Sequence, residues 1–153
     1  MTGTYKIIFS GLGSVNLSPI NVTGSPLSLS CSSHLTIDNP KFRRPYSSSS
    51  SSFYYTALNI NVSISGYYRI SSYSYTLDTY GYIYSNSFNP SMPSQNIILS
   101  DDDTGGYKEF LLSLFMSTTA KYILVATTYH PNKTGSLYIF TNDAQSINFI
   151  PRP

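Results

Sequence analysis

Along TALNINVSIS, residues 56–65, Leu58, Ile60, Val62 and Ile64 alternate with Asn59, Asn61, Ser63 and Ser65. A side-chain period of two is that of a β-strand with one dry face. Burying those four side chains contributes roughly 6–12 kcal/mol before conformational entropy is subtracted. Gly66 then marks a turn or bulge. YYRISSYSY and TYGYIYS predict two further strands, the first with Tyr73 and Tyr75 on one face, the second with Tyr80, Tyr82 and Tyr84 on one face. NPSMPS reads as a Pro-rich loop, QNIILS as a short strand running into DDDTGG, and Tyr107 to Met116 as the next strand. KYILVATTY is apolar on both faces, which predicts a central strand covered from both sides. HPNKTG is a turn, and SLYIF and QSINF read as a closing hairpin. Upstream, Leu27, Leu29 and Cys31 alternate with serines and predict one short strand, followed by a flexible Ser-rich loop at 46–52, which an O-glycosylated stretch would also explain. No window shows a helical period. About nine short strands with turn signals every 8–12 residues predict an all-β fold, an antiparallel two-sheet β-sandwich.

The closing pattern occurs twice. Thr2 to Pro19 match Thr134 to Pro151 without gaps at an offset of 132 positions (134 − 2), with identities at Thr2/Thr134, Gly3/Gly135, Ile7/Ile139, Ser14/Ser146, Asn16/Asn148 and Pro19/Pro151. Val15 for Ile147 and Leu17 for Phe149 are conservative, whereas Gly11-Leu12-Gly13 differs freely from Asp143-Ala144-Gln145. That pattern makes residues 1–19 the closing hairpin of a preceding repeat, or strands linking one subunit to another, and residues 20–153 one sandwich repeat.

Composition narrows the setting. The 153 residues include 15 Tyr and no Trp, and only 10% are charged, so solubility rests on hydroxyls and amides, on attached sugars or on burial in an assembly. A net charge of +2 is too small to argue for nucleic acid or a membrane surface. No stretch approaches 18 continuous apolar residues, so no membrane span is expected, and residues 1–30 lack the basic and apolar regions of a signal peptide. Richness in Ser, Thr, Asn and Tyr with few charges resembles extracellular β domains, so the expected location is secreted or at the cell surface.

No catalytic constellation is legible. There is no Gly-x-Ser-x-Gly elbow, and of the two histidines, His34 and His130, the second precedes Pro131 in a turn. Cys31 is the single cysteine, either a buried small hydrophobe or one half of a disulfide between units. Asp101, Asp102 and Asp103 repel one another unless backbone N–H groups or a cation balances them. With Asp78 or a loop carbonyl they would suit Ca²⁺, although the spacing is not that of an EF-hand, and an Asp-rich turn also forms without metal. Sequons at Asn16, Asn21, Asn61 and Asn132 are candidate glycan sites, with Asn132 best placed on its turn. The Phe42-Arg43-Arg44-Pro45 cluster reads as a solvated loop. The ladder Tyr80, Tyr82, Tyr84 either packs with its hydroxyls at the rim or forms an exposed face that stacks on sugars or binds a protein.

In GYYRISSYSYTLDTYGYIYS, NIILSDDDTGGYKEF, AKYILVATTY and TGSLYIF, the order and spacing resemble the bacterial pre-peptidase C-terminal domain, and more closely a group of extracellular proteins built from tandem copies of such a domain. That resemblance implies a jelly-roll-like sandwich and identifies the fold better than any activity; the expectation that the protein is not an enzyme comes from the lack of a catalytic constellation. With the repeat, the resemblance leads to an expected function: a structural sandwich repeat that assembles head-to-tail with neighbouring copies into a filament or stalk. Its assembly interface would be Tyr5, Ile7, Phe9, Val15 and Leu17, added as strands to the next sandwich. The rival expectation is an adhesion module holding a glycan or protein on the Tyr face or on a Ca²⁺-dependent Asp turn.

Overall fold

The computed structural model describes residues 29–46, 50–141 and 146–152. The strands are β1 (Leu29–Leu35), β2 (Lys41–Phe42), β3 (Phe53–Tyr54), β4 (Thr56–Val62), β5 (Gly66–Tyr73), β6 (Thr79–Ser85), β7 (Ile97–Asp101), β8 (Leu111–Met116), β9 (Tyr122–Thr128), β10 (Gly135–Thr141) and β11 (Ile147–Pro151). Nine of them form two antiparallel sheets in the orders β1-β10-β5-β8 and β11-β4-β9-β6-β7, and β2 and β3 form a separate ribbon. The protein is an all-β two-sheet sandwich, with β2 and β3 in excess of the nine expected strands.

The alternating pattern explains the main core. Leu58 and Ile60 of β4, Tyr68 and Ile70 of β5, Ile83 of β6, Leu112 and Met116 of β8, Leu124 of β9 and Leu137 and Ile139 of β10 meet between the sheets. Gly81 faces the same layer, and a Cβ there would stand 2.7 Å from the Phe110 ring. β9 is buried at all seven positions because a second core covers its other face. There Ile123, Val125, Tyr82 and Tyr84 lie under Phe42, Phe53, Tyr55 and Phe88. The ribbon and the loop after β6 thus add a third layer, whose Phe42 ring packs edge-on against Tyr55, Phe88 and Tyr82 at centroid distances of 5.2, 5.7 and 6.2 Å.

Four expectations are corrected. SLYIF and QSINF are not a hairpin: β10 sits between β1 and β5 in one sheet, and β11 pairs with β4 in the other, so the chain crosses the sandwich between them. The strand expected from Tyr107 begins only at Leu111, because Gly106, Tyr107 and Lys108 have φ of 86°, 50° and 70° and the Gly105 N–H donates to the Glu109 carbonyl in a tight loop. Ile64 is exposed, since β4 ends at Val62, the Ser63 N–H turns to the Ser146 carbonyl and the Tyr68 hydroxyl caps the Ile64 carbonyl at 2.6 Å. Phe42 is buried and Arg44 is tied to backbone carbonyls, so that cluster is no solvated loop. Residues 1–28, with the Leu27 position and the assembly-interface candidates, and 47–49 of the serine loop lie outside the described residues.

Register also fixes the two ends of the sandwich. Leu29, Thr141, Ile147, Tyr122 and Met116 share one end, where the chain enters β1. Leu35, Gly135, Leu111, Thr79 and Asp101 lie towards the other, where β11 ends at Pro151 and the Arg152 N–H bonds the Ala57 carbonyl. The chain therefore enters β1 at one end of the strands and leaves β11 at the opposite end.

Candidate functional site

Most of the charged side chains singled out in the sequence meet at the exit end. Asp78 ends the loop before β6, and Asp102 and Asp103 follow β7, so that three carboxylates lie with oxygens within 4.8 Å of one another. Asp101 does not join them. Its Oδ2 accepts the N–H groups of Thr104 and Leu111 at 3.1 and 2.7 Å, and its Oδ1 accepts the Thr104 hydroxyl at 2.6 Å. Asp101 thus organises the turn by local hydrogen bonding, as an Asp-rich turn does without metal. The ligand set expected from the sequence shrinks from four residues to three.

Burial costs this cluster more than repulsion does. Desolvation, then Asp103 and Asp78, push the Asp102 carboxyl up to about 6, partly offset by Arg44. Asp78 Oδ1, Asp102 Oδ1 and Arg44 Nε are buried without a hydrogen-bond partner among the described residues. Arg44 donates through Nη1 to the carbonyls of Thr128 and Tyr129 at 3.3 and 2.8 Å, and its guanidinium lies 4.0 Å from the Tyr80 ring and 5.0 Å from the Phe53 ring. His130 Nε2 stands 3.9 Å from Asp78 Oδ2. Chemically, the three carboxylates can supply part of the six to eight oxygens that Ca²⁺ takes, the rest coming from carbonyls or water. Arg44 went unrecognised because its role depends on β2 pairing with β3, a contact between segments separated by the serine run.

The Tyr ladder is not an open face. Tyr82 and Tyr84 are 2% and 0% exposed, and burial raises both phenols well above their usual range. The Tyr84 hydroxyl donates to the Pro93 carbonyl at 2.8 Å. Only Tyr80 is partly accessible, stacked on Tyr82 at 4.8 Å. The third layer covers the rings, so this row lacks a free face for a sugar. Exposed aromatics that meet one another on a sheet face lie instead on the other sheet: Tyr67 meets Phe115 across β5 and β8 at 5.4 Å, and Tyr73 meets Tyr75 at 4.9 Å and the half-buried Tyr138 at 6.3 Å. The sequence pattern set Tyr73 and Tyr75 on one face, but nothing local said which sheet would receive a cover.

The remaining candidates fall out individually. Cys31 is buried and its thiol is raised by desolvation, which fits the buried-hydrophobe reading. Asn132 is exposed with φ 58°, its Oδ1 accepting Lys41 Nζ at 3.0 Å, and Asn61 is exposed on β4. Asn16 and Asn21 lie outside the described residues. His34 Nδ1 and Ser136 Oγ are 3.0 Å apart because they are register partners on β1 and β10, a cross-strand pair on an open sheet face. A groove of about 250 Å³ beside Tyr55, Phe88, Pro90 and Arg152 is lined by no carboxylate, imidazole or thiol. No helix among the described residues is long and apolar enough to cross a membrane. No family model, curated protein or solved structure matches the chain.

Proposed function

We propose that the protein is a non-enzymatic structural sandwich repeat that assembles head-to-tail into a filament or stalk outside the cell, with the 2–19 segment supplying strands to the neighbouring sandwich. One observation carries this reading. Transferred at the 132-residue offset, Tyr5, Ile7 and Phe9 correspond to Leu137, Ile139 and Thr141, and Val15 and Leu17 to Ile147 and Phe149, and all five of those positions are buried. The outward position is matched in kind as well, Asn16 for the exposed Asn148. Residues 2–19 therefore carry the inward pattern of both β10 and β11, one strand for each sheet of a sandwich. A segment so patterned buries its apolar side chains only in a unit like this one.

The ends of the fold support the same reading. Since the chain enters β1 and leaves β11 at opposite ends of the strands, consecutive units can run on in line along the strand direction. With β1 starting at Leu29 and Pro19 matching Pro151, nine residues (20–28) join one unit to the next, enough to span about 30 Å at full extension. Head-to-tail contacts of this kind are heterologous and produce open filaments unless a rotation closes them. The resemblance to tandem pre-peptidase-like sandwiches, a location outside the cell and glycans at Asn132 and Asn61 belong to the proposal.

Cryo electron microscopy of the native material tests it. A filament with one sandwich per axial repeat, and density for residues 2–17 within the adjacent unit, is the expected result. Monodisperse particles with that segment folded on its own sandwich would refute it.

A further inference from the structure

Among the described residues, the two sheets end side by side in strands with no further neighbour. β8 closes the four-stranded sheet and β7 the five-stranded one, and the two approach each other, with Gly81 of β6 against Phe110 and Leu112 beneath. Proteins guard such edges with charge, proline or bulges. β8, LLSLFM, has neither charge nor proline. The one charge of β7, Asp101, is engaged with the Thr104 and Leu111 N–H groups. β7 does carry a bulge at Ile98, between the pairs Tyr84–Ile97 and Ile83–Leu99, but Leu99 to Asp101 remain in regular register. Large apolar groups are exposed on both edge strands: Phe115 of β8 is 53% exposed beside Tyr67, and Ile98 of β7 is 45% exposed.

We propose that the β7–β8 edge is a lateral interface that pairs with the same edge of a second copy. Strand direction selects that occupant. By register, β8 runs from the exit end to the entry end and β7 the opposite way. A single added peptide strand satisfies one of the two edges. A copy turned by a two-fold axis normal to the sheets sets β8 antiparallel to β8 and β7 antiparallel to β7 at once. Both sheets continue, to eight (4 + 4) and ten (5 + 5) strands. The inner layer stays aligned because the axis keeps each sheet opposite its partner, and an uncharged edge meets itself without repulsion. This inference rests partly on the head-to-tail reading, which assigns residues 2–19 to a neighbouring unit in the array and so leaves this edge to a second copy. The geometry thus points to arrays that associate sideways in pairs.

Sedimentation velocity with electron microscopy on the full chain separates the two contacts. Tyr5→Asp with Ile7→Asp removes head-to-tail growth, and the expected species is then a dimer. Adding Phe115→Lys, or separately Ser113→Lys, both exposed on β8, places like charges near the axis. Each is expected to weaken the dimer about tenfold or more, with far-UV circular dichroism and the melting temperature unchanged, whereas Phe115→Tyr leaves the dimer intact. A Tyr5→Asp/Ile7→Asp chain that stays monomeric where the wild type forms filaments overturns the lateral interface and leaves the array standing. Dimers that resist both lysine variants in a folded chain overturn it as well. If dimers form and dissociate as expected but the wild type never grows beyond them, the array reading fails and the lateral one survives.

Discussion

Replacing Gly81 by alanine tests the packing of the sandwich at its tightest point. The added methyl would lie 2.7 and 2.8 Å from two carbons of the Phe110 ring and 3.0 Å from Leu112 Cδ1, where carbon atoms ordinarily rest at about 3.5–4.0 Å. Both neighbours are fully buried, and Phe110 is held by its own N–H, which donates to the Ser72 hydroxyl at 3.0 Å, so neither can swing aside. Overpacking of this kind costs about 1–3 kcal/mol, offset by a few tenths because alanine restricts the unfolded chain. Gly66→Ala is the internal control, since its new methyl would meet only Tyr68 Cε2 at 4.0 Å. Urea unfolding followed by far-UV circular dichroism should place Gly81→Ala about 1–3 kcal/mol below the wild type and Gly66→Ala at or slightly above it. Equal midpoints for the two variants would refute the close approach of β6 to β8.

Three further outcomes follow from the site and the cores. Phe42→Ala removes the centre of the third layer and should cost about 3–5 kcal/mol while raising Tyr82 and Tyr84 accessibility to iodination; an unchanged melt would mean that the ribbon does not cover β6. Asp102 is held above its unfolded value, so its folded form binds more protons. Stability from this group is therefore greatest below pH 4 and is lost as pH rises to about 6. Solvent screening of this half-exposed group keeps the effect on the order of 1 kcal/mol, and the difference in urea midpoint between wild type and Asp102→Asn should grow from pH 4 to pH 7.5; a pH-independent difference would contradict it. Cys31, buried and with its thiol raised, should react with a neutral disulfide reagent only on the timescale of unfolding, and fast labelling of the folded chain would show the edge at β1 to be open.

Strand existence was legible where one face alone is dry, as in Leu58 to Val62, because period two leaves little choice of face. The burial of β9 on both faces was legible for the same reason: YILVATT has no wet side. What escaped the sequence depends on long-range pairing. TYGYIYS sets three tyrosines on one face and Thr79, Gly81, Ile83 and Ser85 on the other, a pattern that is equally served by an open tyrosine face, so nothing local showed that Phe42, Tyr55 and Phe88 would cover the tyrosines. SLYIF and QSINF alternate as a hairpin does, and only pairing with β1, β5 and β4 separates them into two sheets. Three adjacent aspartates look equivalent in sequence. They differ in space because the Asp101 carboxylate meets the Leu111 N–H across the loop, while Asp102 and Asp103 turn to Asp78.

The central claim is that residues 2–19 repeat the β10–β11 pattern closely enough to take that pair's place in a unit like this one, and a graft tests it most directly. In the full chain, residues 134–151 are replaced by the sequence of 2–19, and urea unfolding and amide hydrogen exchange are compared with a chain bearing the same 18 residues in shuffled order. The graft should unfold cooperatively and protect the amides around the grafted Ile7, Val15 and Leu17. It should be less stable than the wild type, because Phe9 replaces the buried Thr141 and overpacking costs about 1–3 kcal/mol. A graft as unprotected and as non-cooperative as the shuffled chain would contradict the account.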